Sequence, residues 1–435
     1  MRIRYSGCLL SLAASLFLLG PWLPPASSQL LGPEFQVNTY TTGHQKTPSV
    51  AADALGNFVV VWEGNGQDGS FYGVFGQRYD LAGSPSGSEF QINSYTTGGQ
   101  SSPGVAAQGL GNFVVVWASQ GQDGSGSGVF GQRYDPAGTP IGTEFQINTY
   151  TTGYQVFPAV AADGSGNFIV AWTSDSQDGS SYGVFGQRFN SAGAPIGSEF
   201  QVNTFTTGYQ RLPAVAADAL GNFVVAWDST SQDGSNRGVF GQRFDSVGTA
   251  MGSEFQVNSY TTGSQYDLAT AADDSGNFVV VWTSNGQDGA SLGVFGQRYD
   301  LAGSPLGSEF QVNSHTPANQ RFPTVSAVAS GDFVVAWMSH AQDGSSYGVF
   351  GQRFNSAGGP VGSEFQVNSY TINAQSTPAA SADASGNFVL TWMSTGQDGA
   401  SDGVFGRRLT FSFFSDGFEL GDACAWSAAV GGGCP

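Results

Sequence analysis

Residues 89–143 read EFQINSYTTGGQSSPGVAAQGLGNFVVVWASQGQDGSGSGVFGQRYDPAGTPIGT, and the chain contains seven copies of this stretch. The Glu of the Glu-Phe-Gln triplet recurs at a constant spacing without insertion or deletion, so the repeats start at 34, 89, 144, 199, 254, 309 and 364. The Trp of the apolar run and the Asp of the Gln-Asp-Gly triplet keep the same period. A fixed period of 55 residues is typical of a repeat architecture.

Four strand patterns separated by turn residues lie in each copy. In the second copy they cover residues 89–97, 103–107, 112–118 and 128–134. A β-helix would need a shorter repeat, and a helical solenoid would show the period of an α-helix, which is absent. The pattern therefore predicts an all-β fold, a seven-bladed β-propeller with four antiparallel strands per blade, over residues 29–411.

Side-chain size predicts the order of the strands within a blade. The Val-Ala-Ala strand has small side chains and fits the crowded inner place, and the Phe-Val-Val-Val-Trp strand fits the second place. The Gly-Val-Phe-Gly-Gln-Arg strand fits the third place, and the polar Glu-Phe-Gln-Val-Asn strand fits the outer edge. The first outer strand lies at 34–38 and the last third strand at 403–409. We therefore expect the N-terminal strand to complete the last blade and close the ring. The alternative is that each repeat forms one intact blade.

Residues 1–28 have the pattern of a secretory signal peptide. Arg2 and Arg4 precede an apolar run at 9–19, and small residues at 26–28 allow cleavage near Gln29. The run is too short to span a bilayer. We therefore expect a secreted protein that is extracellular or lies at the cell surface.

The charge of the chain limits its partners. The formal net charge is −19 at neutral pH. An acidic surface repels nucleic acids and anionic membranes, so we expect neither nucleic-acid binding nor membrane insertion. The expected partner is an extracellular protein or glycan, and the expected state is a monomer.

The string GQDGSxxGVFGQRYDxxGxxxGSEFQVN resembles repeats of large exported bacterial proteins, which often occur beside calcium-binding RTX segments. It is distantly similar to the FG-GAP blades of integrin-type propellers. The resemblance covers residues 34–409 and implies an extracellular propeller with an adhesion or surface role and no known reaction. The RTX nonapeptide is absent, and the loop that corresponds to the FG-GAP calcium loop usually has one acid. The third copy, with Asp175 and Asp178, comes nearest to a calcium site, and we expect no other cofactor.

The tail, residues 412–435, lies outside the repeats. Its segment SDGFELGDACAWSA at 415–428 resembles a short ending of various secreted bacterial proteins. Cys424 and Cys434 are the two cysteines that remain after cleavage, and an exported compartment permits a disulfide between them.

Residues that recur in every copy predict scaffold roles. We expect the third-strand arginine to pair with the Glu of the adjacent outer strand, and the Trp to fill space between blades with its N–H bonded to a neighbour. The recurring Gln should satisfy loop backbone groups, and Asp-Gly should form a turn. The arginines are Arg78, Arg133, Arg188, Arg243, Arg298, Arg353 and Arg408.

Differences between copies are concentrated in two loops, one between the outer and inner strands and one after Gln-Asp-Gly. In the predicted strand order both loops lie on one face of the ring, the variable face, and nearly constant turns lie on the other, the uniform face. The variable face gathers Tyr, Phe and Arg, which are enriched at binding hot spots. The candidate ligand-binding residues are Tyr154, Phe157, Tyr182, Tyr209, Arg211, Arg237, Tyr266, Arg321, Phe322 and Tyr347.

The sequence offers no catalytic pattern. His44, His315 and His340 occupy three different repeat positions, no cysteine lies in the propeller, and no triad spacing is present. We therefore predict a secreted binding or adhesion module that recognises a protein or glycan without catalysis. The alternatives are a calcium-dependent surface protein that uses its Asp-Gly loops, a purely structural repeat protein, and a hydrolase or lyase built on the propeller.

Overall fold

A computed structural model describes residues 29–108 and 111–411. In these ranges the chain is all β, and its strands form seven antiparallel sheets arranged as blades in a ring. The predicted seven-bladed β-propeller is confirmed. No described segment is a helix capable of crossing a membrane. The predicted signal peptide (1–28) and the tail (412–435), including Cys424 and Cys434, lie outside the described residues.

The strand order within each blade follows the prediction from side-chain size. The inner strands, which contact those of neighbouring blades, are Gln45–Ala52, Gln100–Gln108, Gln155–Ala162, Gln210–Ala217, Gln265–Ala272, Gln320–Ala327 and Gln375–Ala382. The second strands are Phe58–Asn65, Asn112–Gln120, Phe168–Asp175, Phe223–Thr230, Phe278–Asn285, Phe333–His340 and Phe388–Thr395. The third strands are Tyr72–Tyr79, Ser127–Tyr134, Tyr182–Phe189, Arg237–Phe244, Leu292–Tyr299, Tyr347–Phe354 and Asp402–Phe411. The outer strands are Phe35–Gln36, Phe90–Gln91, Pro140–Gln146, Pro195–Gln201, Phe255–Gln256, Phe310–Gln311 and Pro360–Gln366.

The N-terminal segment closes the ring, as predicted. Phe35–Gln36 pairs antiparallel with residues 405–406 of the last third strand. A further strand that the sequence did not indicate, Gln29–Leu31, pairs with residues 409–411 of the same strand. The last blade therefore combines strands from both ends of the described chain, which covers a sheet edge that would otherwise be open.

Two strand lengths differ from the sequence prediction. In the second copy the outer strand is only Phe90–Gln91, shorter than the predicted 89–97, because only residues 90 and 91 pair with the third strand. The inner strand is longer than predicted, Gln100–Gln108, because pairing continues beyond a bulge between residues 101 and 104.

The hydrophobic core lies between neighbouring blades. Trp62 is 0% exposed and packs in a cluster that contains Val389 and Val404 of the preceding blade. In the same cluster the rings of Phe58 and Tyr79 stack with their centroids 4.7 Å apart. The predicted hydrogen bond from the Trp indole is wrong, since within the described residues none of the seven indole N–H groups has an acceptor. The apolar space between blades offers few acceptors, so burial of the ring outweighs the unsatisfied N–H.

The predicted ion pair between the third-strand arginine and the outer-strand Glu is also wrong. In five copies the arginine donates to backbone carbonyls of the next blade. For example, Arg133 donates to the carbonyls of Ser191 and Ala192 at 2.5 and 2.7 Å. The Glu instead accepts hydrogen bonds towards the variable face, as Glu89 does from the backbone N–H of Thr39 at 2.6 Å. Both recurring residues therefore join neighbouring blades rather than neighbouring strands.

The recurring Gln and Asp-Gly residues have the predicted structural roles. Gln45 is fully buried, and its Nε2 donates to the carbonyl of Thr42 at 3.0 Å. Asp68 Oδ1 accepts from the N–H of Ser70 at 2.9 Å, and the glycine between them has a φ of 85°, as a turn requires. The other oxygen of Asp68 lies 2.7 Å from where a Cβ on Gly73 would be, which explains the glycine at this position of each third strand.

Candidate binding site on the variable face

Each inner strand has a bulge near the variable face. Pairing with the second strand is interrupted after the second residue, and the third residue has a left-handed backbone, which non-glycine residues rarely adopt. The seven residues are Thr47, Ser102, Phe157, Leu212, Asp267, Phe322 and Thr377, with φ between 48° and 54°. Because a bulge redirects a side chain, side chains of five types (Thr, Ser, Phe, Leu and Asp) occupy the same bulged position around the ring.

The preceding blade holds the bulge in several copies. The N–H of Leu212 donates to Thr173 Oγ1 at 3.0 Å, and the N–H of Phe322 donates to Thr283 Oγ1 at 3.2 Å. The acceptor in each case directly follows the Trp on the second strand of the preceding blade. At the bulge of the fifth repeat the residue is Asp267, and the residue after the Trp of the preceding blade is Asp228, so two carboxylates lie at a contact where other blades have at most one.

Asp228 is the centre of a charge cluster in the fourth repeat. Its side chain is 0% exposed, with Oδ1 3.4 Å from Nε of Arg211 and Oδ2 3.1 Å from Nη1 of Arg237. Arg211 lies on the inner strand and Arg237 begins the third strand, so Asp228 on the second strand lies between them. A buried carboxylate is tolerated when it is paired in this way.

Aromatic rings extend the cluster into the next two repeats. The guanidinium carbon of Arg237 lies 4.2 Å from the ring centroid of Tyr266. That of Arg321 lies 5.1 Å from the ring of Phe322 and 5.2 Å from the ring of Tyr347, within the range of cation–π attraction. Within residues 29–108 and 111–411, Arg321 forms no ion pair, and its buried Nε has no hydrogen-bond acceptor. Arg321 is therefore a cation with unused hydrogen-bonding capacity.

Asp267 is a partly buried acid on which these arginines act electrostatically. Its Oδ2 is buried and has no hydrogen-bond partner in the part of the chain that the structure describes. Burial raises the pKa of Asp267 from 3.8 to about 6; Arg237 opposes the increase and Asp228 adds to it, with smaller opposing effects from Arg321 and Arg211. Burial likewise raises the pKa of Asp228, against the lowering influence of Arg211 and Arg237. Protonation of Asp267 therefore falls in a range where it can change the charge of the site near neutral pH.

The basic residues of this face are concentrated in the cluster. Of the 14 Lys and Arg residues, two precede residue 29 and eight lie in the second half of a third strand, at 78, 133, 188, 243, 298, 353, 407 and 408. The remaining four are Lys46, Arg211, Arg237 and Arg321. Lys46 lies in the first repeat, 3.5 Å from Glu63 and 4.2 Å from the ring centroid of Tyr72. Three of the four thus act electrostatically on one residue, Asp267, in a protein whose net charge is −19.

The other predicted residues lie on the variable face beside the cluster. The rings of Tyr182 and Tyr209 are 5.7 Å apart, and the guanidinium of Arg211 is 5.9 Å from the ring of Tyr209. Tyr209 is 44% exposed, and Tyr154 and Phe157 on the preceding repeat are exposed to a similar degree. The structure therefore joins Tyr182, Tyr209, Arg211, Arg237 and Tyr266 through successive contacts. Arg321, Phe322 and Tyr347 form a second group, and Asp267 interacts electrostatically with Arg237 and with Arg321.

Sequence reasoning missed Asp228, Asp267 and His340, whose ring lies 4.9 Å from that of Tyr347. The sequence did contain an indication that Asp228 is unusual. The residue after the recurring Trp is Glu63, Ala118, Thr173, Asp228, Thr283, Met338 and Met393 in the seven copies. A carboxylate in an otherwise buried, mostly neutral column indicates a local partner of opposite charge.

The predicted calcium residues have other contacts in the structure. Asp178 Oδ1 accepts from the N–H of Ser180 at 3.0 Å, as in the other Asp-Gly turns, and Asp175 Oδ1 accepts from Ser176 Oγ at 2.8 Å. Among the described residues no group of three His, Cys, Asp or Glu side chains is arranged to hold a metal ion. A calcium site at Asp175 and Asp178 stays a prediction.

Comparison with known proteins concerns the fold. No family model and no curated protein matches the chain. Among solved structures, it is similar to a protein of unknown function from Dyadobacter fermentans, with a TM-score of 0.54 and 11% identity over 89% of this chain and 100% of that chain. An α-L-arabinanase of Penicillium chrysogenum complexed with arabinobiose follows at a TM-score of 0.49 and 14% identity, over 71% and 94% of the two chains. The subtype N11 neuraminidase-like protein of A/flat-faced bat/Peru/033/2010 (H18N11) has a TM-score of 0.46 and 11% identity, over 90% and 95%. At such low identity the first likeness supports the architecture alone: the chain is a seven-bladed β-propeller.

Proposed function

We propose that this protein is a secreted binding module that captures an extracellular ligand on its variable face. The ligand contacts the cluster of Arg211, Arg237, Arg321, Tyr266 and Tyr347, together with the exposed rings beside it. Secretion is proposed from the basic start, apolar run and small residues within residues 1–28.

One observation carries the proposal. Three of the four basic residues that lie outside residues 1–28 and the second halves of the third strands act electrostatically on the same carboxyl group, Asp267, and one of them, Arg321, forms no ion pair within the described ranges. Nothing in the repeat requires this arrangement, because the other blades have neutral side chains, a Lys46–Glu63 pair or Asp402, which contacts His44, at the same positions. Arg and aromatic residues together are the side chains enriched at binding hot spots.

The experiment compares two matched double variants on glycan and extracellular-protein arrays. Arg321→Gln with Phe322→Ser removes a cation and an exposed ring from the cluster. Lys46→Gln with Phe71→Ser removes a cation and an exposed ring from the same face in the first repeat. Any ligand of the wild-type protein should bind the first variant at least about tenfold more weakly, because charged hydrogen bonds of this kind contribute about 1.5–3 kcal/mol.

The second variant should bind as the wild type does. Circular dichroism and urea unfolding of both variants separate loss of the site from loss of the fold. Equal losses of binding in the two variants, or no loss in either, would contradict a site centred on Arg321.

Asp267 favours hydrolysis as a second candidate function. A buried carboxyl group whose pKa is raised to about 6 has the properties of a proton donor at near-neutral pH. If the protein hydrolyses a glycan that it binds, Asp267→Asn should abolish the release of new reducing ends without weakening binding. Release that persists at the wild-type rate in this variant would exclude Asp267 as the proton donor.

A further inference from the structure

The arginines near Asp267 have hydrogen-bonding capacity that the protein does not use. Asp228 engages Nε of Arg211 and Nη1 of Arg237, which leaves the other N–H groups of both guanidinium groups outside that interaction. Arg321 has no ion pair among the described residues. A guanidinium binds a carboxylate through two parallel hydrogen bonds, so a ligand carboxylate fits this set of cations.

The rings around the arginines favour a saccharide over a peptide. Phe322 is 37% exposed beside the guanidinium of Arg321, and Tyr209 is exposed beside Arg211. The face of an aromatic ring carries partial negative charge and attracts the C–H face of a sugar ring. Aromatic faces occur on consecutive blades, which suits a chain of sugar rings that each present such a face. An acidic peptide presents apolar faces only where its sequence supplies them.

We infer that repeats four to six bind a carboxylate-bearing saccharide, such as an oligomer of uronic acid, and that Asp267 competes with the ligand carboxylate for the three arginines. The inference rests on the proposed function, because it names the ligand class of the same site. It also assigns a role to Asp267, whose carboxylate competes with the carboxylate of the ligand.

The competition makes binding depend on pH. The charged and titratable groups that act on Asp267 or on its neighbour Tyr266 are Arg211, Asp228, Arg237, Arg321 and Tyr347. Above its pKa of about 6, Asp267 is ionised and offsets one arginine; below it, Asp267 is neutral and the site gains one positive charge. A sugar carboxylate, with a pKa of about 3.5 like other α-substituted carboxyl groups, stays ionised over this range. Acidification from neutral pH should therefore strengthen binding.

The test measures affinity by isothermal titration with an α-linked galacturonate hexamer and with the same hexamer after its carboxyl groups are reduced to alcohols. A β-linked mannuronate hexamer supplies a second linkage geometry. Titrations at about pH 7.5 and about pH 5 lie on either side of the pKa of Asp267. The wild type should bind an acidic hexamer about tenfold more tightly at the lower pH, the effect of one pKa unit of coupling. The reduced hexamer should bind at least about tenfold more weakly than the acidic one at both pH values.

Three variants isolate the groups involved. Asp267→Asn should bind the acidic hexamer at the higher pH as tightly as the wild type does at the lower pH, with no further gain on acidification. Asn tolerates the left-handed backbone at this position, so the variant should fold. Arg321→Gln should lose about tenfold in affinity at both pH values. Asp274→Asn, which removes an exposed carboxylate from the uniform face of the same repeat, should match the wild type.

Each other outcome overturns part of the inference. Equal affinity for the acidic and reduced hexamers, with both lost in the Phe322→Ser variant, rejects the carboxylate and keeps the proposed function. Preference for a glutamate-rich peptide over both uronate hexamers assigns the site to an acidic protein. Wild-type pH dependence in Asp267→Asn rejects the competition. Failure of both uronates to bind rejects the ligand class, and the arrays then decide separately whether the variable face binds any ligand.

Discussion

Replacing Asp267 by Asn should stabilise the protein at neutral pH. Burial raises the pKa of Asp267 from 3.8 to about 6, so the folded state holds its proton more tightly than the unfolded chain does. The free energy of unfolding therefore falls as the pH rises through the interval between about 4 and 6, and the loss persists above it. A difference of about two pKa units corresponds to about 3 kcal/mol, and partial exposure of the side chain reduces the expected gain to about 2 kcal/mol.

Urea unfolding followed by tryptophan fluorescence measures this effect, because the seven recurring Trp side chains are fully buried. At about pH 7.5 the free energy of unfolding of Asp267→Asn should exceed that of the wild type by about 2 kcal/mol. At about pH 4 the two proteins should agree within about 0.5 kcal/mol, because Asp267 is then protonated in the folded wild type. The control, Asp274→Asn, should differ from the wild type by less than about 0.5 kcal/mol at either pH.

The opposite sign would refute the reasoning. If Asp267→Asn lowers the stability at neutral pH, the attraction between Asp267 and the arginines exceeds the penalty of burial. A gain of equal size at both pH values would show that the effect comes from backbone conformation at the bulge, since Asn suits a left-handed residue, and not from ionisation.

Three further predictions concern the scaffold and the charged residues. Arg237→Met leaves Asp228 with Arg211 as its only ion-pair partner in the described residues, and it should lower the free energy of unfolding by about 3 kcal/mol in urea titrations. Deleting residues 29–36 exposes the outer edge of the last blade, so size-exclusion chromatography should reveal a larger share of oligomers or aggregates than for the intact chain. Excess calcium should leave the melting temperature within about 1 °C of that in a chelator, because each Asp-Gly turn uses its carboxylate for its own backbone; a clear rise would assign metal sites to these loops.

The fold could be predicted from the sequence because its repeat is regular. An uninterrupted and constant period fixes seven equal units, and the position of small and bulky strands fixes their order around the axis. Ring closure followed from the same pattern, since the chain begins with an outer strand and ends its repeats with a third strand. The added pairing of Gln29–Leu31 could not be foreseen, because these residues lie outside the repeat.

The partners of recurring residues were harder to predict. The sequence pattern indicates which residues belong to one repeat, and it suggests an Arg–Glu pair between adjacent strands of one sheet. In the structure Arg133 and Glu89 instead bond to neighbouring blades, over separations of 58 and 50 residues. Contacts between blades depend on the distance and rotation between sheets, which the period of the repeat does not specify.

The candidate site was predicted in part for the same reason. Variation between copies directs attention to Arg211, Arg237 and Arg321, and all three act electrostatically on Asp267 in the structure. Asp228 was missed because it lies in a buried strand, where variation ordinarily concerns packing. Asp267 was missed because its raised pKa depends on burial and on charges from another repeat, which the sequence does not show. A search of each repeat column for isolated charges would have found both.

The acid at the fifth bulge is best understood as a functional residue because the scaffold does not need it. The other six copies form the same bulge with Thr, Ser, Phe, Leu, Phe and Thr, none of which ionises in the accessible pH range. The raised pKa predicts that a carboxylate here lowers stability at neutral pH, whereas a neutral side chain would form the bulge without that loss. Natural proteins retain such locally unfavourable residues mainly where they contribute to a function. The same reasoning explains why the stabilising variant Asp267→Asn should lose the pH dependence of binding, so that stability and ligand response change together at this one position.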